Sequence, residues 1–139
     1  MTAKKVKSVG NEKRTILVVD DDLELLQLVR VILARLGTDI KTAVDIKSAD
    51  RILRAHPTPD LLILDVMLPE VSGIDFLRQI RNQPIYHHIP VLVLSAQIDA
   101  DQINIALSAG ADRYLTKPYI ANNLVSIVQE LLRVGRPHS

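Results

Sequence analysis

Residues 15–22 read Thr-Ile-Leu-Val-Val-Asp-Asp-Asp, a short β-branched apolar run that stops at three successive carboxylates. Apolar residues without alternation predict a strand buried on both faces, as a parallel sheet requires. Asp22 then opens a segment with Leu25, Leu26, Val29, Ile32, Leu33 and Leu36 at the spacing of an amphipathic helix, stopped by Gly37. The same alternation continues along the chain. Asp39–Ala43 is a weaker strand, and Asp45 caps a helix through Ala49, Ile52 and Leu53 that must end before Pro57. Leu61–Leu64 is a strand ending at Asp65, followed by a connection containing Pro69 and Gly73 and a helix from about Gly73 to Asn82. Val91–Leu94 is a strand, Ala100–Ala109 a helix ended by Gly110, Tyr114–Thr116 a short strand and Ile120–Leu132 the last helix. Five strand–helix alternations predict an α/β fold: an open parallel sheet with right-handed crossovers and helices on both faces.

Composition agrees with that reading. The chain has 139 residues, 47% apolar and 24% charged, which suits one globular domain and excludes a wholly disordered or collagen-like chain. With no cysteine there is no disulfide scaffold, no thiolate metal site and no thiol nucleophile. The apolar runs fall far short of the roughly 20 residues that span a bilayer, and no apolar stretch of signal-peptide length follows Lys4, Lys5 and Lys7. A cytoplasmic location is expected. The net charge of +1 divides unevenly: residues 1–14 carry +4 and residues 133–139 carry +2, leaving −5 on the body. Residues 1–14 read as a basic disordered leader, 15–133 as the folded domain and 134–139 as a tail.

In open parallel sheets, ligands bind outside the carboxyl ends of the strands. Those ends carry Asp20 and Asp21, then Asp65, then Ser95, then Lys117-Pro118. Three carboxylates brought together repel one another, so either their pKa values rise or a cation joins them. Oxygen ligands without His or Cys favour a hard divalent ion, and Mg²⁺ suits a few carboxylates, waters and a phosphoryl oxygen. A carboxylate beside Mg²⁺, with a Lys and a hydroxyl to bind phosphoryl oxygens, is equipment for in-line phosphoryl transfer to an acyl-phosphate acceptor.

The residues that carry this chemistry stand in four motifs: Ile-Leu-Val-Val-Asp20-Asp21-Asp22, Leu-Leu-Ile-Leu-Asp65-Val-Met-Leu-Pro69-Glu-Val-Ser-Gly73, Ile-Pro90-Val-Leu-Val-Leu-Ser95-Ala96 and Gly110-Ala-Asp-Arg-Tyr114-Leu-Thr-Lys117-Pro118. Taken in order and at these spacings, over roughly residues 14–133, the chain resembles the receiver domain of two-component response regulators, the CheY-like family. The resemblance implies a flavodoxin-like (βα)5 sheet of order 2-1-3-4-5. It implies that Asp65 accepts a phosphoryl group from a phosphohistidine on a sensor histidine kinase or a histidine phosphotransfer protein. Mg²⁺, or Mn²⁺ in its place, would be held by Asp21, by Asp20 through water, by Asp65 and by the backbone carbonyl of Met67. Lys117 would pair with Asp65 and then with the phosphoryl group, and Ser95 would turn its hydroxyl toward it. Tyr114 would then turn inward, switching the surface of the fourth helix, fifth strand and fifth helix. Lys117-Pro118 is expected to be cis, and Met67 and Gln97 occupy the two positions where the family tunes phosphate lifetime. Met67 offers no strong hydrogen bond to an attacking water, so slow to intermediate self-dephosphorylation is expected, in a protein that is otherwise not a conventional enzyme.

Other readings fit less of the chain. Asp20-x-Asp22 after a buried strand resembles haloacid-dehalogenase-like phosphatases, but Glu24 departs from that motif, and Asp65 and Lys117-Pro118 are left without a role. Asp22 reads as a helix cap rather than a metal ligand. His87-His88 reads as a surface pair, and His56 and His138 have no visible partner. The surface of Ile103, Ser108, Arg113 and Ile127 lacks most charges of familiar dimerising receivers, so a monomer or weak dimer is expected. With seven residues after Leu132, direct DNA binding is not expected, and output would fall to a partner protein. A receiver cut from a longer regulator or hybrid kinase remains the alternative.

Overall fold

A computed structural model describes residues 13–55, 57–68, 72–118 and 121–136. His56, Pro69, His138 and most of the basic leader lie outside the described residues. The elements alternate as β1 (Thr15–Val19), α1 (Leu23–Ala34), β2 (Asp39–Ala43), α2 (Ile46–Arg54), β3 (Leu61–Leu64), α3 (Gly73–Arg81), β4 (Val91–Ser95), α4 (Ala100–Ala109), β5 (Arg113–Thr116) and α5 (Ala121–Val134). All pairings are parallel, and the sheet order is β2-β1-β3-β4-β5, as the sequence and its resemblance imply.

The three central strands are buried along their whole length, which is why their sequences are continuous apolar runs. Successive side chains point to opposite faces. Leu17, Val19, Leu62 and Leu64 therefore pack with Leu53, Phe76, Leu77 and Ile80 in one core. Ile16, Val18 and Ile63 pack with Leu26, Val29, Leu33, Leu124 and Val128 in the other. The edge strands β2 and β5 are only partly buried and correspondingly more polar. Arg30 of α1 covers the β2 edge by donating to the carbonyl of Ile40 at 3.1 Å, occupying an acceptor that another chain's strand would otherwise find.

Helix ends follow the capping residues. The Asp22 carboxylate accepts the N–H groups of Glu24 and Leu25 at 3.0 and 3.2 Å, so it caps α1 as read from the sequence. Asp45 caps α2, Ser72 caps α3 and Asp99 caps α4 in the same way. The last helix runs two residues past Leu132, to Val134, before Gly135 turns the chain at φ +70. Both ends of the described region are tied to the body. Arg14 donates to the carbonyl of Leu132 at 2.6 Å, and Arg136 pairs with Asp112 at 3.0 Å.

Gly73 sits where α3 meets the connection after β3. A Cβ at that position would lie 2.6 Å from the Val66 Cα and 2.9 Å from the Asp65 carbonyl oxygen, both backbone atoms that cannot swing away. Gly73→Ala is therefore expected to lose about 2 kcal/mol of stability, the ordinary cost of overpacking. An unchanged urea midpoint would show that the connection yields instead.

Candidate functional site

The site forms at the carboxyl edge of the sheet, where β1, β3, β4 and β5 end side by side. The ladder continues one step beyond two strands: the Asp20 N–H donates to the Ala43 carbonyl at 3.0 Å and the Asp65 N–H to the Val19 carbonyl at 2.9 Å. Both acids are thus held by sheet-type bonds although their side chains leave the sheet. Each carboxylate then accepts a local backbone N–H at 2.9 Å, Asp20 from Asp22 and Asp65 from Met67. These bonds bend the chain sharply at the strand ends and fix the direction of the acids.

Asp20, Asp21 and Asp65 each place one carboxylate oxygen within 4.8 Å of the other two. Asp20 and Asp65 are 2% and 5% exposed, whereas Asp21 faces solvent. A buried pair with an open third ligand suits a cation that enters from water and keeps part of its hydration shell. Burial pushes the Asp20 carboxyl above the usual carboxylate range, and the charge of Asp65 pushes the same way; the bonds from Lys117 and the Asp22 N–H only partly oppose them.

Lys117 is the counter-charge. Its Nζ lies 2.7 Å from Asp20 and 3.0 Å from Asp65, so one ammonium joins the ends of β1 and β3 to the end of β5. Burial lowers its pKa, but the bonds to Asp20 and Asp65 together outweigh burial and raise it. The Lys117 N–H donates to the Ser95 carbonyl at 2.8 Å, and the Lys117–Pro118 peptide is cis. The sequence reading pairs Lys117 with Asp65 alone; Asp20 is the partner it did not name.

Ser95 is fully buried, and its Oγ accepts the Gln97 N–H at 3.3 Å. The Gln97 carbonyl in turn accepts the Tyr114 hydroxyl at 2.8 Å, with Tyr114 half-buried against the core. Gln97 thus stands between Ser95 and Tyr114 through backbone atoms, which no residue pattern signals. Met67 is 52% exposed beside Asp65. Of the remaining histidines within the described residues, His87 and His88 are exposed and stand apart from the acidic cluster. Arg113 of β5 is ion-paired with Glu130 of α5. Among the described residues, no helix is long and apolar enough to cross a membrane.

Comparison with known proteins agrees with this geometry. The family model "Response regulator receiver domain" matches residues 16–129. The chain is 42% identical over 120 residues to the probable transcriptional regulatory protein TcrX of Mycobacterium tuberculosis, covering 86% of this chain and 50% of TcrX. It is 36% identical over 120 residues to the phosphate regulon transcriptional regulatory protein PhoB of Escherichia coli, covering 86% of this chain and 52% of PhoB. The chain thus spans about half the length of these curated relatives. Among solved structures, a putative response regulator from Chloroflexus aurantiacus superposes with a TM-score of 0.82 at 31% identity, over 88% of this chain and 99% of that one. The chemotaxis protein CheY4 of Vibrio cholerae gives 0.76 at 28% identity, over 85% and 98%. The chain belongs to the response regulator receiver domain family, the phosphoacceptor modules of two-component signalling.

Proposed function

We propose that Asp65 is the phosphoacceptor and that Asp20, Lys117 and Ser95 serve it, in transfer from a phosphohistidine on a sensor histidine kinase or a histidine phosphotransfer protein. The observation that carries this reading is the shared ammonium, with Lys117 Nζ 3.0 Å from Asp65 and 2.7 Å from Asp20. A carboxylate oxygen of Asp65 attacks phosphorus, a P–O bond forms, the P–N bond breaks, and the histidine nitrogen leaves with the electron pair. Lys117 stays within reach of the acceptor to take up phosphoryl charge. Ser95 exchanges its contact with the Gln97 N–H for a phosphoryl oxygen, which loosens the Gln97 segment that holds Tyr114. A surface on α4, β5 and α5 then changes for a protein partner.

Asp20, Asp21, Asp65 and the Met67 carbonyl would hold the divalent ion, with Mg²⁺ the fitting choice for an all-oxygen set containing one solvent-facing acid. When bound, the ion supplies Lewis-acid stabilisation of phosphoryl charge. The relatives' names describe transcriptional regulation. Regulation of transcription through a partner or a further part of the protein is compatible with a receiver that performs the phosphoryl step alone.

Incubation with Mg²⁺ and acetyl phosphate is expected to give a phosphate adduct by intact mass, absent with EDTA and absent in Asp65→Asn. An undiminished adduct on Asp65→Asn would refute the assignment. Met67→Asn should change the decay of that adduct several-fold, because an amide can orient a water that a thioether cannot; superimposable decay curves would remove Met67 from this role.

Stability tests the acid cluster separately. Without divalent ions, Asp20→Asn is expected to be more stable than wild type by about 1 kcal/mol, because it removes a buried charge next to Asp65 while Lys117 keeps Asp65. The raised pKa of Asp20 sets the sign of the pH dependence. Its ionised form costs stability above the folded-state pKa and the cost fades as pH falls through it, so the two proteins should converge in acid. Mg²⁺ at one hundred times its dissociation constant should add about 2.7 kcal/mol to wild type and much less to the variant. Denaturant titrations at neutral and acid pH, with and without Mg²⁺, measure all three.

A further inference from the structure

A second ion cluster lies at the opposite edge of the sheet. Asp112, immediately before β5, has a carboxylate only 3% exposed. Its Oδ2 accepts from Arg81 Nη2 at 3.0 Å and from the Val91 N–H at 2.8 Å, and its Oδ1 accepts from Arg136 Nε at 3.0 Å. Arg81 also donates to the carbonyls of Gly110, His87 and Ile89 at 2.9, 3.0 and 2.7 Å. Arg136 donates to the same His87 carbonyl at 2.9 Å. Burial and the charge of Arg136 lower the Arg81 pKa to about 10 against the pull of Asp112. Gly110, at φ +121, makes room: a Cβ there would lie 2.5 Å from Arg81 Cγ. At the other side Gly135 turns the chain after α5, with its N–H on the Leu131 carbonyl at 2.9 Å, and Arg136 comes back to Asp112.

A buried Arg–Asp–Arg cluster is expensive to desolvate, so stability alone is a weak reason for it. Its geometric effect is definite, because it fixes the start of β5. The end of β5 is fixed by the other ion cluster, through Lys117. Between the two lie only the four residues Arg113–Thr116, a length of ~13 Å. In the sheet this strand pairs with β4 alone, and it is half-buried throughout. Like β2 at the other edge it is held in the sheet by one neighbour, but it alone of the two runs between the two ion clusters.

We propose that β5 is a strut between the two ion clusters, with Asp112 a positioning residue for Lys117, and that a phosphoryl group on Asp65 loosens Gly135 and Arg136 after α5. The proposal rests on the reading of Asp65 as phosphoacceptor. A phosphoryl group puts its oxygens beyond the carboxylate, so Lys117 exchanges a present contact for one of them while staying at the acceptor, and on this proposal the pull reaches the end of β5 through the Lys117 backbone. The contacts of Asp112, at 2.8–3.0 Å, have no slack to absorb the pull. Arg136 is the arginine of the cluster that lies outside a helix, two residues beyond the end of α5, whereas Arg81 belongs to α3.

Amide hydrogen exchange of the full chain at Gly135 and Arg136 tests this, with Mg²⁺ present and acetyl phosphate present or absent. The extent of phosphorylation is read from intact mass on the same samples. Exchange at Gly135 should quicken at least threefold in the phosphorylated wild type. Arg136→Gln should exchange quickly in both states with no further change, and Arg136→Lys should restore part of the difference. Unchanged exchange in fully phosphorylated wild type would overturn the proposal, as would an equal quickening in Arg136→Gln. A missing adduct in the mass spectrum would sink the reading of Asp65 and this proposal with it, a failure visible apart from the exchange result. Asp112→Asn is the harsher variant, because it leaves two arginines facing a neutral amide; the Arg136 variants keep the test independent of whether it folds.

Discussion

One ammonium group holds the functional edge of this protein together. Lys117 reaches from the end of β5 to the acids that end β1 and β3, and without it two buried carboxylates would face each other across a few ångströms. Like charges at that distance in a partly desolvated site raise each other's pKa or drive the chain apart. Lys117 offsets this only in part, since burial above all, with the charge of Asp65 a smaller contribution, holds the Asp20 carboxyl above its ordinary range. On the proposed reading that residual negative charge is what draws a divalent ion, whose charge would in turn favour a phosphoryl group.

The rest of the fold keeps that charge in place. Acids on a flexible loop would simply separate, but Asp20 and Asp65 are joined by backbone bonds to neighbouring strand ends. Those strands are buried on both faces, so displacing either acid would disturb the two cores at once. Gly73 closes the other side by letting the start of α3 press against Val66, next to Asp65. Rigidity beneath the acids and openness above them, at Asp21 and Met67, are two halves of one arrangement.

The parts legible in the sequence are those that leave a periodic or positional mark. Continuous apolar runs gave away β1, β3 and β4, because only strands buried on both faces can omit alternation. Asp22 announced the start of α1, because a side-chain oxygen must serve the free N–H groups there. The strand order and the residue roles came instead through resemblance, since spacing alone does not say which strands are neighbours. What stayed hidden is long-range and charged. Arg14 and Arg136 look like parts of two basic ends when charge is added along the chain, yet one bonds the Leu132 carbonyl and the other a buried aspartate. Arg81 looks like a last-turn cation of α3, but it reaches across to Asp112 and three carbonyls. An arginine has one charge and five donors wherever it stands, so sequence cannot tell a solvated guanidinium from a buried one.

That difference bears on how a signal could leave the site. Apolar packing passes force only as far as it resists compression, and it has no preferred partner. A hydrogen-bonded ion cluster has discrete partners, and its energy changes steeply with small displacements. β5 is bounded by such a cluster at each end and is an edge strand in between, so a change of partner at Lys117 meets resistance chiefly at Asp112. The central strands, sandwiched between two cores, have no comparable freedom. Of the two edge strands, β5 is the one that carries Tyr114 and borders α5 through the Arg113–Glu130 pair, which on the proposed reading makes it the strand through which a signal leaves.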